Sequence, residues 1–169
     1  MSGASLILTA ELPPDLQVRM DALRRAHFPP ARNHLAAHVT LFHALPPSAE
    51  DELREVLARI AAANAPLPAR VTGVVSLGGG TAISLASPAL LTLRDELAER
   101  FWPLLSAQDR HRPRLHVTVQ NKVTSAQAKA LQQQLAPQVM VEDFRIPGLA
   151  LHAYLGGPWQ HLKTVRFRG

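Results

Sequence analysis

Hydrophobic residues recur at every second position in some stretches of this chain and at every third or fourth in others, and the two patterns take turns along it. Residues 5–11, Ser-Leu-Ile-Leu-Thr-Ala-Glu, read as a first strand. Pro13-Pro14-Asp15 then opens a helix with Leu16, Met20 and Leu23 on one face, closed before Phe28-Pro29-Pro30. A polar loop over 31–36 leads to Ala37-His38-Val39-Thr40-Leu41-Phe42-His43, a strand by its β-branched and aromatic content. After Leu45-Pro46-Pro47, Ser48 is placed to cap a helix whose first turn is acidic (Glu50, Asp51, Glu52), followed by Leu53, Val56, Leu57 and Ile60 at helical spacing.

Residues 69–77 and 81–86 alternate as strands joined at Gly78-Gly79-Gly80, which predicts a hairpin. Ser87-Pro88 starts a long helix carrying Leu90, Leu93, Leu97, Phe101 and Leu104 as one stripe. A polar loop over 108–114, with Arg110, Arg112 and Arg114, feeds Leu115-His116-Val117-Thr118-Val119-Gln120-Asn121, another strand. Thr124-Ser125-Ala126-Gln127 has the form of a capping box ahead of Leu131 and Leu135. Extended segments near 139–145, 149–155 and 160–168 complete the chain, the last two joined by Gly156-Gly157-Pro158.

Helix, loop, His-Val-Thr strand, helix and hairpin thus occur at 13–86 and again at 88–168. Alternating strands and helices usually form a parallel doubly wound sheet, but the paired hairpins and the missing glycine-rich phosphate turn favour α+β with mostly antiparallel sheets. The expected organisation is one domain over 1–169, with approximate halves 1–86 and 87–169. The two motifs lie 116 − 38 = 78 residues apart, about half of the 169-residue chain, so a pseudo-symmetric cleft would bring their imidazoles together. Strand parity puts His38, Thr40 and Phe42 on one face, and likewise His116, Thr118 and Gln120. By the same parity His43 turns to the opposite face as a core or strand-end residue. His152 and Tyr154 share the face of their strand opposite Leu149, Leu151, Ala153 and Leu155, where they either help line the cleft or sit at a solvent-facing edge.

Composition narrows the chemistry. With 47% hydrophobic and 18% charged residues the chain is a globular protein without a run of the ~20 apolar residues that a membrane span needs. Its amino terminus lacks a basic, then apolar, secretory signal, so a cytoplasmic location is expected. The absence of cysteine excludes disulfides, a thiol nucleophile and thiolate-bound metal. Eighteen basic residues against thirteen acidic ones leave a net charge of +5, carried mainly by arginine, whose planar fork suits phosphate, though a coding bias gives the same composition.

Cleaving a phosphodiester without a metal or a protein nucleophile takes one base for the attacking oxygen and one acid for the leaving oxygen, on opposite sides of phosphorus. Two imidazoles can fill both roles near neutral pH, and a threonine hydroxyl beside each can donate to a non-bridging oxygen. The duplicated His-x-Thr-hydrophobe, half a chain apart, resembles the two-histidine (2H) phosphoesterase superfamily, in particular its bacterial 2′-5′ RNA ligase-like branch. That resemblance implies a bilobal fold with a cleft between the lobes and metal-independent attack on 2′,3′-cyclic phosphates or 2′-5′ linkages. It also implies His38, Thr40, His116 and Thr118 as the catalytic residues. Relatives often carry proline before the motif histidine, where this chain has Ala37 and Leu115, with Pro113 three positions upstream of His116.

Substrate contacts are expected from Phe42, Arg114, His152 and Tyr154. Phe42 would stack on a base or pack in the core, and Arg110, Arg112 and Arg114 would bind RNA phosphates or solvate their loop. His27, His34, His111 and His161 default to the surface, and a zinc site from His34, His38 and His43 is disfavoured by their opposed faces. No cofactor or metal is expected. The partner is an RNA end or small nucleotide, with no membrane, and the chain is expected to be a monomer. Rival readings are a non-catalytic RNA-binding module on the same scaffold and a 2′-5′ RNA ligase, the same chemistry run backwards.

Overall fold

The computed structural model describes residues 3–169, which form eight strands and four α-helices with short 3₁₀ turns between some of them. In chain order these are β1 (Leu6–Ala10), α1 (Pro14–His27), β2 (Val39–Leu45), α2 (Glu50–Ala63), β3 (Leu67–Ser76) and β4 (Thr81–Ala86). They are followed by α3 (Pro88–Arg100), β5 (His116–Gln120), α4 (Ser125–Leu135), β6 (Glu142–Ile146), β7 (Gly148–Tyr154) and β8 (Trp159–Arg166). Two four-stranded sheets result, in the orders β2-β1-β7-β8 and β5-β4-β3-β6, and every pairing is antiparallel. The fold is therefore α+β, and no described helix is long and apolar enough to cross a membrane.

The internal repeat is β-α-β-α-β, first as β1-α1-β2-α2-β3 and then as β4-α3-β5-α4-β6, with β7 and β8 appended. Its boundary falls in the Leu77–Gly80 turn, and the expected halves 1–86 and 87–169 do not coincide with the sheets. The reason is an exchange of strands. β3 closes a hairpin with β4 and so leaves the first repeat for the second sheet, while β1 takes its inner partner from the far end of the chain, Ile7 opposite His152. Each His-Val-Thr strand ends up at the edge of a different sheet.

One apolar cluster joins the layers: Leu8, Leu41, Phe42 and Leu151 from the first sheet, Ile83, Val117 and Val119 from the second, and Leu16, Leu57 and Leu97 from helices. Each fully buried side chain of this kind contributes about 1.5–3 kcal/mol. Helix ends follow local chemistry. The Ser87 hydroxyl accepts from the Leu90 amide at 3.2 Å and donates to the Pro68 carbonyl at 2.7 Å, so Ser87→Ala removes both bonds. A loss of about 0.5–2 kcal/mol in denaturant unfolding is the expected result. Thr124 and Gln127 form the expected capping box on α4.

Two local expectations are corrected. Pro47–Ala49 forms a 3₁₀ turn, so Ala49 and not Ser48 precedes α2, without a side-chain cap. α3 stops at Arg100 because Pro103 has no amide hydrogen to continue it, and Leu104, in the turn Trp102–Leu104, is 43% exposed and outside the stripe.

Both motif strands carry a β-bulge at the same place. Thr40 pairs with Thr9 and Phe42 with Leu8, leaving Leu41 extra. Thr118 pairs with Ala82 and Gln120 with Thr81, leaving Val119 extra. In each copy the bulge immediately follows the motif threonine. Past it, the alternation of faces is reversed.

Candidate active site

His38 stands one residue before β2 and His116 opens β5, and these two edge strands pack against each other. The side chains of His38, Thr40, His116 and Thr118 line one cavity of about 450 Å³. Each imidazole is held the same way: Nδ1 of His38 donates to the Ala36 carbonyl at 2.8 Å and Nδ1 of His116 to the Arg114 carbonyl at 2.7 Å. A carbonyl can only accept, so both Nδ1 atoms carry hydrogen and both Nε2 atoms are left to act as base or acid. Arg114 lines the same cavity.

Burial pushes the His38 imidazole down to about 4, opposed by its bond to Ala36 and reinforced by the positive Arg24 and by His152 and His116. His152 is likewise pushed down to about 4, by burial first and then by His161. Both histidines are therefore neutral at neutral pH. The unfolded chain, with histidines near their ordinary value of 6.5, takes up these protons first. Stability is thus full above pH 6.5 and falls as pH drops from 6.5 to about 4, the two ends of the histidine shift. Thermal melts of His152→Gln should show a shallower decline across that window than the parent protein.

The bulge at Leu41 overturns two parity expectations. Phe42 is not at the cleft: it is 1% exposed, part of the core, and lies under the Arg94 guanidinium, 4.2 Å from ring centroid to Cζ. His43, expected on the opposite face, lines the cavity beside the motif side chains. Its Nδ1 is 3.2 Å from Oδ1 of Asp109, which also accepts from the His43 and Ala44 amides at 2.9–3.0 Å. Asp109 is 1% exposed. Burial opposes its ionisation, but the His43 ring bond and the amides of His43 and Ala44 outweigh that and hold the carboxyl below its ordinary value. An ionised carboxylate only accepts, which makes the His43 Nδ1 the donor.

Two buried arginines tie each motif strand to the opposite repeat. Arg24 of α1 donates to Thr118 O at 2.8 Å, to Leu35 O at 3.1 Å and to Asn33 Oδ1 at 3.2 Å. Arg94 of α3 donates to Leu41 O at 3.2 Å and to Asp109 O. Edge-strand carbonyls that have no ladder partner are thereby paired, and the motifs are held in register across the cleft.

The remaining expected contacts separate. His152 lines a neighbouring cavity of about 540 Å³ and shares a 3.1 Å hydrogen bond with the Thr9 hydroxyl. Tyr154 lines neither cavity and is 47% exposed at the end of β7, because it precedes the turn to β8. Trp159, which strand parity did not single out, borders both cavities, its ring 4.5 Å from that of His38 and 5.2 Å from that of His152. Only the sheet order, which brings β8 beside β7, could have pointed to it.

The profile of the 2′-5′ RNA ligase superfamily matches residues 12–158. No curated protein matches the chain. TT0787 of Thermus thermophilus superposes with a TM-score of 0.67 at 18% identity, over 98% of each chain. E. coli LigT complexed with 3′-AMP superposes with a TM-score of 0.65 at 18% identity, over 99% of this chain and 100% of that one. At such identities these structures share its fold.

Proposed function

The chain belongs to the 2′-5′ RNA ligase superfamily, and from that premise we propose that it is a metal-independent phosphodiesterase acting on 2′,3′-cyclic phosphates of RNA ends or small nucleotides. The observation that carries this reading is the pair of imidazoles in one cavity, each with Nδ1 fixed on a carbonyl two residues earlier and Nε2 uncommitted. In the reaction one Nε2 removes a proton from the attacking water. The other gives a proton to the ribose oxygen that leaves phosphorus, and the Thr40 and Thr118 hydroxyls donate to the non-bridging oxygens as charge builds there. His38, neutral down to about pH 4, is assigned the base, which leaves the acid to His116. Related 2′-5′ linkages fit the same assignment, since both leaving groups are ribose oxygens.

LigT of E. coli, which shares the fold, has been solved with 3′-AMP and with ATP, consistent with a nucleotide in a cleft of this kind. The deciding experiment incubates the protein with a nucleoside 2′,3′-cyclic phosphate in excess chelator and follows the nucleotide product. Turnover unaffected by chelator is expected, because the acid–base pair supplies the two proton transfers that a metal would otherwise promote. Binding without turnover would favour an RNA-binding module, and loss in chelator with rescue by zinc or magnesium would refute the metal-independent mechanism.

A further inference from the structure

The cavity holds more arginine and histidine side chains than one phosphodiester needs. Three arginines and four histidines line it against a single carboxylate, Asp109. A phosphodiester carries one negative charge on two non-bridging oxygens, and the two motif threonines and histidines already provide for these and for the proton transfers. Arg94 is committed to the Leu41 and Asp109 carbonyls, and Arg112 is held by both oxygens of Asp95 at 3.0 and 3.3 Å. Two groups remain. The Arg114 guanidinium is exposed and makes no hydrogen bond or ion pair among the described residues. The His43 imidazole is clamped at Nδ1 by Asp109, which leaves its opposite edge, with Nε2, for the cavity that its side chain lines.

Resting on the phosphodiesterase reading above, we propose that His43 and Arg114 form a subsite for a second phosphate of the substrate, the 5′-phosphate of the nucleotide that bears the cyclic phosphate. In an RNA end this is the last internal phosphodiester, so the site selects a phosphorylated nucleotide or a chain over a bare nucleoside cyclic phosphate. A protonated His43 donates Nδ1–H to Asp109 and Nε2–H to the incoming phosphate, and the Arg114 fork donates to the same group. The charge of Asp109 does not repel the ligand from close range, since it is buried behind the His43 ring and its oxygens are taken up by that ring and two backbone amides. Asp109 acts here as a positioning residue, through His43. The bulge at Leu41 is what turns His43 into the cleft.

The test compares kcat/KM for adenosine 2′,3′-cyclic phosphate with that for the same compound bearing a 5′-phosphate. About a tenfold preference for the 5′-phosphorylated substrate, expressed in KM, is expected of the unaltered protein, the effect of one added charge-assisted contact. His43→Gln and Arg114→Gln should each bring the ratio close to unity. No preference in the unaltered protein, or a His43→Gln variant that slows both substrates by the same factor and keeps their ratio, overturns the proposal. If neither compound is hydrolysed, the phosphodiesterase reading has failed, and the subsite is then judged by binding. Calorimetry with adenosine 3′,5′-bisphosphate and 3′-AMP should show tighter binding of the bisphosphate that His43→Gln abolishes, and equal affinities would refute it.

Discussion

His38→Ala and His116→Ala should each lower turnover of a nucleoside 2′,3′-cyclic phosphate by about 10²–10⁴-fold, with the protein still folded and still able to bind nucleotide. Each imidazole is assigned one proton transfer in the same step, so losing it raises the barrier by about 2.7–5.5 kcal/mol at ~1.36 kcal/mol per tenfold. The pair acts as a unit, and the double variant should therefore be little slower than either single one. Thr40→Ala and Thr118→Ala should cost less, since each removes one neutral donor. Both histidines lie at the ends of edge strands and neither belongs to the apolar cluster, so folding is expected to survive their loss. Single-turnover kinetics alongside nucleotide binding check this result, and a double variant slowed by the full product of the two single effects would mean that the imidazoles act independently.

Phe42→Ala should be among the most destabilising single substitutions in the chain, by about 3–5 kcal/mol, without a matching loss of nucleotide affinity. The ring is fully buried beside the bulge and its face supports the Arg94 guanidinium. Removing it leaves a cavity under the arginine that holds the Leu41 carbonyl and the Asp109 turn. Chemical denaturation measures the loss. A stable Phe42→Ala protein with weakened nucleotide binding would instead put the ring in the cleft, where strict alternation from His38 places it.

That contrast shows where the sequence was legible and where it was not. The helices of residues 14–27, 50–63, 88–100 and 125–135 are visible in apolar spacing and in the caps Ser87 and Thr124, because both signals are local. The His-Val-Thr pairs stood out because a two-residue spacing on a strand keeps imidazole and hydroxyl on one face, and no bulge intervenes between histidine and threonine. One residue further on, the parity fails. A bulge adds a single residue without changing composition, so Leu41 and Val119 look like ordinary strand hydrophobes although the first exchanges the faces of Phe42 and His43 and the second turns Gln120 inward. The exchange of β3 and β7 between sheets was equally hidden, since alternation reports that a segment is a strand and not which strand it joins. Asp109 and His43 are 66 residues apart and Arg24 and Thr118 are 94 apart, and nothing local marks such partners. Trp159 belongs with them: its neighbours His38 and His152 follow from the order of strands in the first sheet.

The division of labour between the two imidazoles is tested most directly by the pH dependence of kcat/KM for a nucleoside 2′,3′-cyclic phosphate, measured for the parent protein and for the residual activity of His38→Ala and of His116→Ala. In the parent a bell is expected, because one histidine must be neutral while the other carries a proton, and its two limbs belong to the coupled pair. With His38 as base, His38→Ala should lose the acid limb and keep the alkaline one, and His116→Ala should do the reverse. A profile in which both limbs persist in both variants would contradict the account, since neither imidazole would then be the group whose protonation limits the rate.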